Sequence, residues 1–173
     1  MKKITYLIAL FVTISTFCFS QTKQLDLGDK VPYFSLLNQD GKTFSMKDSL
    51  GTKLLVIFFY PKDQDLLCAR ELITFNDSIN TFNKAGALVV GISQNNIDKL
   101  QKFHKEHSLK YDLLCDSTGA VLNSFGVKEN FFSDRVTFIA NIAGDIVFKG
   151  ASLARGKKHA LEALVYLNDL KKQ

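Results

Sequence analysis

The chain has 173 residues, 46% of them hydrophobic, with three cysteines, no tryptophan and a formal net charge of +5. That charge is too small to argue for a nucleic-acid partner, and no repeat, low-complexity stretch or linker divides the sequence. About 150 residues beyond the N-terminal segment suit one domain with a full core.

The opening Met1-Lys2-Lys3 is followed by an uncharged apolar run from Ile4 to Phe19, then Ser20 and Gln21. Small residues at Cys18 and Ser20 fit the minus-three and minus-one positions of a signal peptide, so residues 1–20 are expected to be removed and residues 21–173 to form the domain. An uncleaved membrane anchor is the competing reading, since the run approaches spanning length. Lipoprotein-type cleavage before Cys18 is disfavoured by bulky Phe17. The leader takes Lys2 and Lys3 with it, leaving 20 basic and 17 acidic side chains, a formal charge of +3. Export implies a periplasmic or secreted protein in an oxidising compartment.

Val31 to Phe44 reads as two short apolar strands joined by Gln39-Asp40-Gly41-Lys42, in which Asp-Gly signals a hairpin. Leu54 to Phe59 is a continuous apolar run, expected of a strand covered on both faces. After Tyr60-Pro-Lys-Asp-Gln-Asp-Leu-Leu-Cys-Ala-Arg-Glu71, the residues Leu72, Phe75, Ile79 and Phe82 recur at helical spacing until Gly86. Leu88 to Ser93 is a second buried strand. Ile97, Leu100 and Phe103 mark a helix capped near Ser93 or Asn95.

Tyr111 to Leu114 is a further short strand, and Gly119 to Phe125 a helix. Val136 to Ala140 and Ile146 to Phe148 form a second hairpin about Ala143-Gly144-Asp145. Leu161, Leu164, Val165 and Leu170 lie on a last helix. Strands alternating with helices predict an α/β domain with a central mixed sheet flanked by helices and an N-terminal hairpin.

Cys68 falls where a buried strand hands over to a helix. Unpaired N–H groups and the positive end of the dipole there favour thiolate, which makes Cys68 a candidate nucleophile, with Arg70 and Lys62 as nearby cations. A buried structural thiol is the alternative. Without Cys18, Cys115 is the other remaining thiol, 47 positions on, and sequence alone does not pair the two. There is no Cys-x-x-Cys, which argues against a dithiol oxidoreductase or a tethered thiol reductase. His104 and His107 stand three apart on a predicted helix, but no third ligand is near and a solvated face is the better reading; His159 has no cysteine or acidic partner in view.

Several segments in order resemble the thioredoxin-fold peroxiredoxins, and within them the bacterioferritin comigratory protein or PrxQ branch. Gly28-Asp-Lys-Val-Pro-Tyr-Phe is similar to the opening "G-x-x-A-P-x-F", and Asp40-Gly41-Lys42 to the first hairpin. Tyr60-Pro-Lys-Asp63 and Cys68 match the spacing of Tyr-Pro-Lys-Asp-x-Thr-x-x-Cys, with Glu71, Phe75 and Asp77 downstream. Gly86 to Ser93, Leu113 to Asp116 and Arg135-Val-Thr-Phe138 resemble later segments.

The resemblance implies a thiol-dependent peroxidase acting on hydrogen peroxide or organic hydroperoxides, with no cofactor. Cys68 would be the peroxidatic cysteine and Arg135 the cation that lowers its pKa, whereas the residues alone leave a surface ion pair open for Arg135. Pro61 would shape the loop and shield the thiolate.

Asp65 stands where the signature has threonine or serine. An ionised carboxylate accepts hydrogen bonds without donating, and at about 4 Å from a thiolate its repulsion runs from about 1 kcal/mol in water to about 4 kcal/mol at a dielectric of 20. Leu66 and Leu67 replace Pro-Gly and either extend apolar reach toward an alkyl hydroperoxide or fill the pocket; Ala69 replaces a threonine. The branch's resolving-cysteine position is Ile73, and Cys115 reads as a buried inert thiol. A one-cysteine cycle follows, with an external reductant (a thioredoxin-like protein or small thiol), in a monomer or weak homodimer. The alternative is a catalytically degenerate redox-sensing or binding module.

Overall fold

The computed structural model describes residues 23–61, 66–127, 135–152 and 156–170. The expected signal peptide, Lys62 and Asp65 lie outside them. Seven strands form one sheet: β1 (Ser35–Asn38), β2 (Thr43–Ser45), β3 (Leu54–Phe59), β4 (Ala87–Ser93), β5 (Asp112–Cys115), β6 (Arg135–Ala140) and β7 (Ile146–Ser152). Their spatial order is β2-β1-β5-β4-β3-β6-β7, with β3, β4 and β5 parallel and the other pairings antiparallel. The helices are α1 (Leu66–Asp77), α2 (Ile79–Lys84), α3 (Ile97–Glu106), α4 (Ala120–Ser124) and α5 (Gly156–Leu170), with a 3-10 turn at Met46–Asp48.

Strand β3 is apolar throughout because both of its faces are covered. Val56 and Phe58, with Tyr60 beyond, face a core built with α1, α2, α3 and α5. Leu55, Ile57 and Phe59 face a second core that contains Val31, Phe34, Met46, Val121 and Phe125. The alternation is the period of two that a strand imposes. Phe58 stacks on Phe75 of α1 at 4.2 Å between centroids and 7° between planes.

That stack explains Gly91. It pairs with Phe58 on one side and Leu113 on the other. A Cβ there would lie 2.6 Å from the Phe58 ring and 3.1 Å from Leu113. Gly91→Ala must displace an aromatic already fixed against Phe75, so we expect a loss of about 1–3 kcal/mol in chemical denaturation. Unchanged stability would show that the ring has room to move.

The expected hairpins are present. The first turn is held to β5 by Gln39, whose Oε1 accepts from the Leu113 N–H at 2.9 Å and whose Nε2 donates to Asp112 Oδ1 at 3.0 Å. Other expectations need correction. The helix expected up to Gly86 is two helices interrupted at Ser78, although Leu72, Phe75, Ile79 and Phe82 still share one core. Asn76-Asp77-Ser78 supplies three side chains that compete for backbone hydrogen bonds, and Asn76 Oδ1 is drawn away to the Lys110 N–H at 2.8 Å.

The cap of α3 is Asn96, which accepts from the Lys99 N–H at 3.0 Å. Asn95 is instead fully buried, donating through Nδ2 to the Ser93 hydroxyl at 3.2 Å. His107 is the C-terminal cap of α3 rather than part of its face, and its ring lies 4.2 Å from that of Phe103.

Helix α5 buries Ala160, Ala163 and Leu167, leaving Leu161 and Val165 exposed. Small residues let α5 approach the sheet and α1 closely, so its inner stripe is less apolar by composition than its outer one.

Candidate active site

The site forms where β3 ends, α1 begins and β6 starts. Cys68 is the third residue of α1, within the turn whose N–H groups have no intrahelical acceptor; its side chain lies outside the described residues. Helical spacing places Cys68, Glu71, Leu72 and Phe75 on one stripe at i, i+3, i+4 and i+7. The last three are fully buried, so a carboxyl group stands on the apolar face of α1, one turn after the cysteine.

Its partner is Arg135. Phe59 pairs with Val136, so the start of β6 lies opposite the residue that follows β3, Tyr60. From there the Arg135 Nε comes within 3.1 Å of Glu71 Oε2, with both side chains 5% exposed or less. Arg135 is therefore not a surface ion-pair residue. Arg70, the cation nearest Cys68 in sequence, is exposed. Pro61 is half-buried in a trans peptide directly after Tyr60. Asp65 lies outside the described residues.

The 3.1 Å approach has the spacing of an ion pair, but burial outweighs it. Desolvation pushes the Glu71 carboxyl up to about 8, against the opposing pull of Arg135. At neutral pH the pair therefore holds one net positive charge. Tyr111 completes the cluster, donating its hydroxyl to the Leu72 carbonyl at 2.8 Å and pinning α1 to the entry of β5. Burial, followed by the proximity of Tyr60 and Glu71, raises the Tyr111 phenol well above its usual value.

The arrangement can stabilise an anion. A buried guanidinium lies beside Glu71, one helical turn along α1 from Cys68, and the N-terminal turn of α1 carries the thiol. The AhpC/TSA family profile matches residues 27–149, which takes in this whole constellation.

The chain belongs to the AhpC/TSA family. Among its relatives, the putative peroxiredoxin bcp of Helicobacter pylori is 36% identical over 150 residues, covering 82% of this chain and 97% of that protein. Peroxiredoxin Bcp of Bacillus subtilis is 32% identical over 154 residues, covering 84% and 97%. The crystal structure of peroxidoxin BcpB from Mycobacterium tuberculosis superposes with a TM-score of 0.79 at 30% identity, over 84% of this chain and 98% of that one. The bacterioferritin comigratory protein of Xanthomonas campestris, solved in a study of alkyl peroxide reduction, gives 0.75 at 25% identity, over 83% and 98%. The chain is thus a peroxiredoxin of the Bcp/PrxQ branch, a thiol-dependent peroxidase with a thioredoxin-like fold.

The burial of two polar residues of this peroxiredoxin, Glu71 and His159, is not an expectation of the sequence. Glu71 was visible as a family position, and its place on the Leu72–Phe75 stripe was the signal that it turns inward. His159 is fully buried on α5, with Nδ1 3.4 Å from the Thr137 hydroxyl of β6. Cys115 is a free thiol, half-buried rather than fully buried, paired in β5 between Leu37 and Ser93. Among the described residues no three His, Cys, Asp or Glu side chains gather to hold a metal.

Proposed function

We propose that Cys68 is the peroxidatic cysteine and that the protein runs a one-cysteine cycle in which Arg135 stabilises the reacting charge. The observation that carries this reading is the buried Arg135 lying 3.1 Å from Glu71, one helical turn after Cys68 on α1. The Cys68 thiolate attacks one peroxide oxygen, forming an S–O bond as the O–O bond breaks. The departing oxyanion takes up a proton and leaves as water or alcohol, and the sulfur, oxidised by two electrons, becomes a sulfenic acid. An external thiol condenses with it and releases water, and a second thiol reduces the mixed disulfide, returning Cys68. Arg135 offers several fixed donors to the oxygens as charge develops. Pro61 would shape the loop and shield the thiolate.

In this cycle Cys115 is not the resolving thiol, and its place inside the sheet, paired with Leu37 and Ser93, supports that reading. Two variants test the assignment by peroxide consumption and sulfenic-acid trapping. Cys68→Ser is expected to abolish both signals, whereas Cys115→Ser retains turnover with a small-thiol reductant. Full peroxide consumption by Cys68→Ser would remove the assignment, and arrest of Cys115→Ser at the sulfenic acid would make the cycle two-cysteine.

The apolar run that follows Met1-Lys2-Lys3 supports reading residues 1–20 as an export signal and residues 21–173 as a periplasmic or secreted domain, acting on peroxides there with a thioredoxin-like or small-thiol reductant. The competing reading is a slow, redox-sensing module, favoured by Asp65. Asp65→Thr separates the two: a large gain in peroxide reactivity supports the slow module, and no gain from an already fast parent supports the peroxidase.

A further inference from the structure

We propose that the buried Thr137–His159 pair is a positioning device for Arg135, fixing the strand that carries it against α5. The inference rests on the role of Arg135 given above. Arg135, Thr137 and Ile139 alternate onto one face of β6, since Val136, Phe138 and Ala140 all belong to the opposite core. Thr137 is thus the next side chain along from Arg135 on that face, with Cα atoms about 7 Å apart at strand rise. Ile139, one step further, belongs to the same hydrophobic core as Ala160 and Ala163 of α5.

The polar pair joins β6 to α5 two residues along the strand from Arg135. Thr137 and His159 are both fully buried, and the Thr137 Oγ1 lies 3.4 Å from His159 Nδ1. A core histidine and threonine carry a desolvation cost that a valine and leucine would avoid, so a pair retained there contributes specificity of placement. The pair lies on the same face of β6 as Arg135, whereas Ile139 beyond it belongs to the apolar core. Arg135 is the first residue of β6, and among the described residues its strand partner is Ser152 of β7. A hydrogen bond two residues in, between that strand and α5, limits how far its end can shift.

Small misplacements of a charge-stabilising group are costly in rate, and the expected effect of Thr137→Val is a fall of about tenfold in the second-order rate constant of Cys68 with hydrogen peroxide. Thr137→Ser restores the hydroxyl and the rate. His159→Asn, whose amide reaches the position of Nδ1, stays close to the parent, while His159→Leu is as slow as Thr137→Val. The deciding experiment combines Thr137→Val with Arg135→Met: a device that acts through Arg135 loses its effect once Arg135 is gone. A parent-like rate in Thr137→Val, or an equal slowing in the Arg135→Met background, overturns the proposal. If Arg135→Met alone leaves the rate unchanged, the role of Arg135 itself fails, and the two failures are told apart.

Discussion

Arg135→Met is expected to slow the reaction of Cys68 with hydrogen peroxide by about two to three orders of magnitude, the usual loss on removing a preorganised donor from a buried site. The variant should nevertheless fold. Removing one member of a buried ion pair normally leaves an orphaned charge and costs several kcal/mol. Here the remaining partner, Glu71, keeps its proton until about pH 8, so at pH 7 a neutral carboxylic acid is left beside a methionine of similar length. Arg135→Lys keeps the charge but loses the planar fork, and belongs between methionine and the parent. Stopped-flow kinetics with thermal melting reads both quantities. A rate within threefold of the parent in a folded Arg135→Met protein would sink the electrostatic role assigned to the guanidinium.

Glu71→Gln carries the second large effect, seen in the pH dependence of stability. The carboxyl titrates near its ordinary 4.5 in the unfolded chain and near 8 in the folded protein. Between those values the folded state holds a proton that the unfolded state has released, so stability falls as pH rises through the window, by at most about 1.4 kcal/mol per pH unit from this group. Glutamine has no proton to lose. The variant should match the parent below pH 4.5, become progressively more stable relative to it up to pH 8, and hold that advantage above. Urea denaturation across pH 4 to 9 measures the difference, and parallel profiles would show that the parent carboxyl is ionised in the fold. The same substitution changes reactivity in the opposite range: above pH 8 the parent loses net positive charge at the site and Glu71→Gln keeps it.

The sheet was readable because its strands are apolar on both faces or bounded by Asp-Gly and Gly-Asp turns, and such signals are local. Residues 54–59 were legible to the residue for that reason. What sequence left hidden depended on partners distant in the chain. The break at Ser78 follows from Asn76 bonding across to Lys110, and the cap of α3 passed from Asn95 to Asn96 because Ser93 claims Asn95. The inner face of α5 was concealed by its alanines, since Leu161 and Val165 are the stronger hydrophobic signals and point outward. In the site, Cys68 and Arg135 were visible through family motifs, whereas the burial of Glu71 and the Thr137–His159 contact needed β6 brought beside α1 and α5.

The seven-residue β7 ends one side of the sheet, and an open edge of that length offers its backbone groups to any passing strand. Its first rung is already taken. Ile146 donates to the Asp29 carbonyl at 2.9 Å and accepts from the Gly28 N–H at 2.8 Å, and further along Lys149 reaches to within 3.9 Å of Asp26. The stretch from Asp26 to Asp29 thus acts as a guard on the border of the sheet, and a lysine on the strand itself makes strand-to-strand pairing with another molecule still less favourable. Solubility of the folded molecule is in this way entrusted partly to the few residues that lead into the first hairpin.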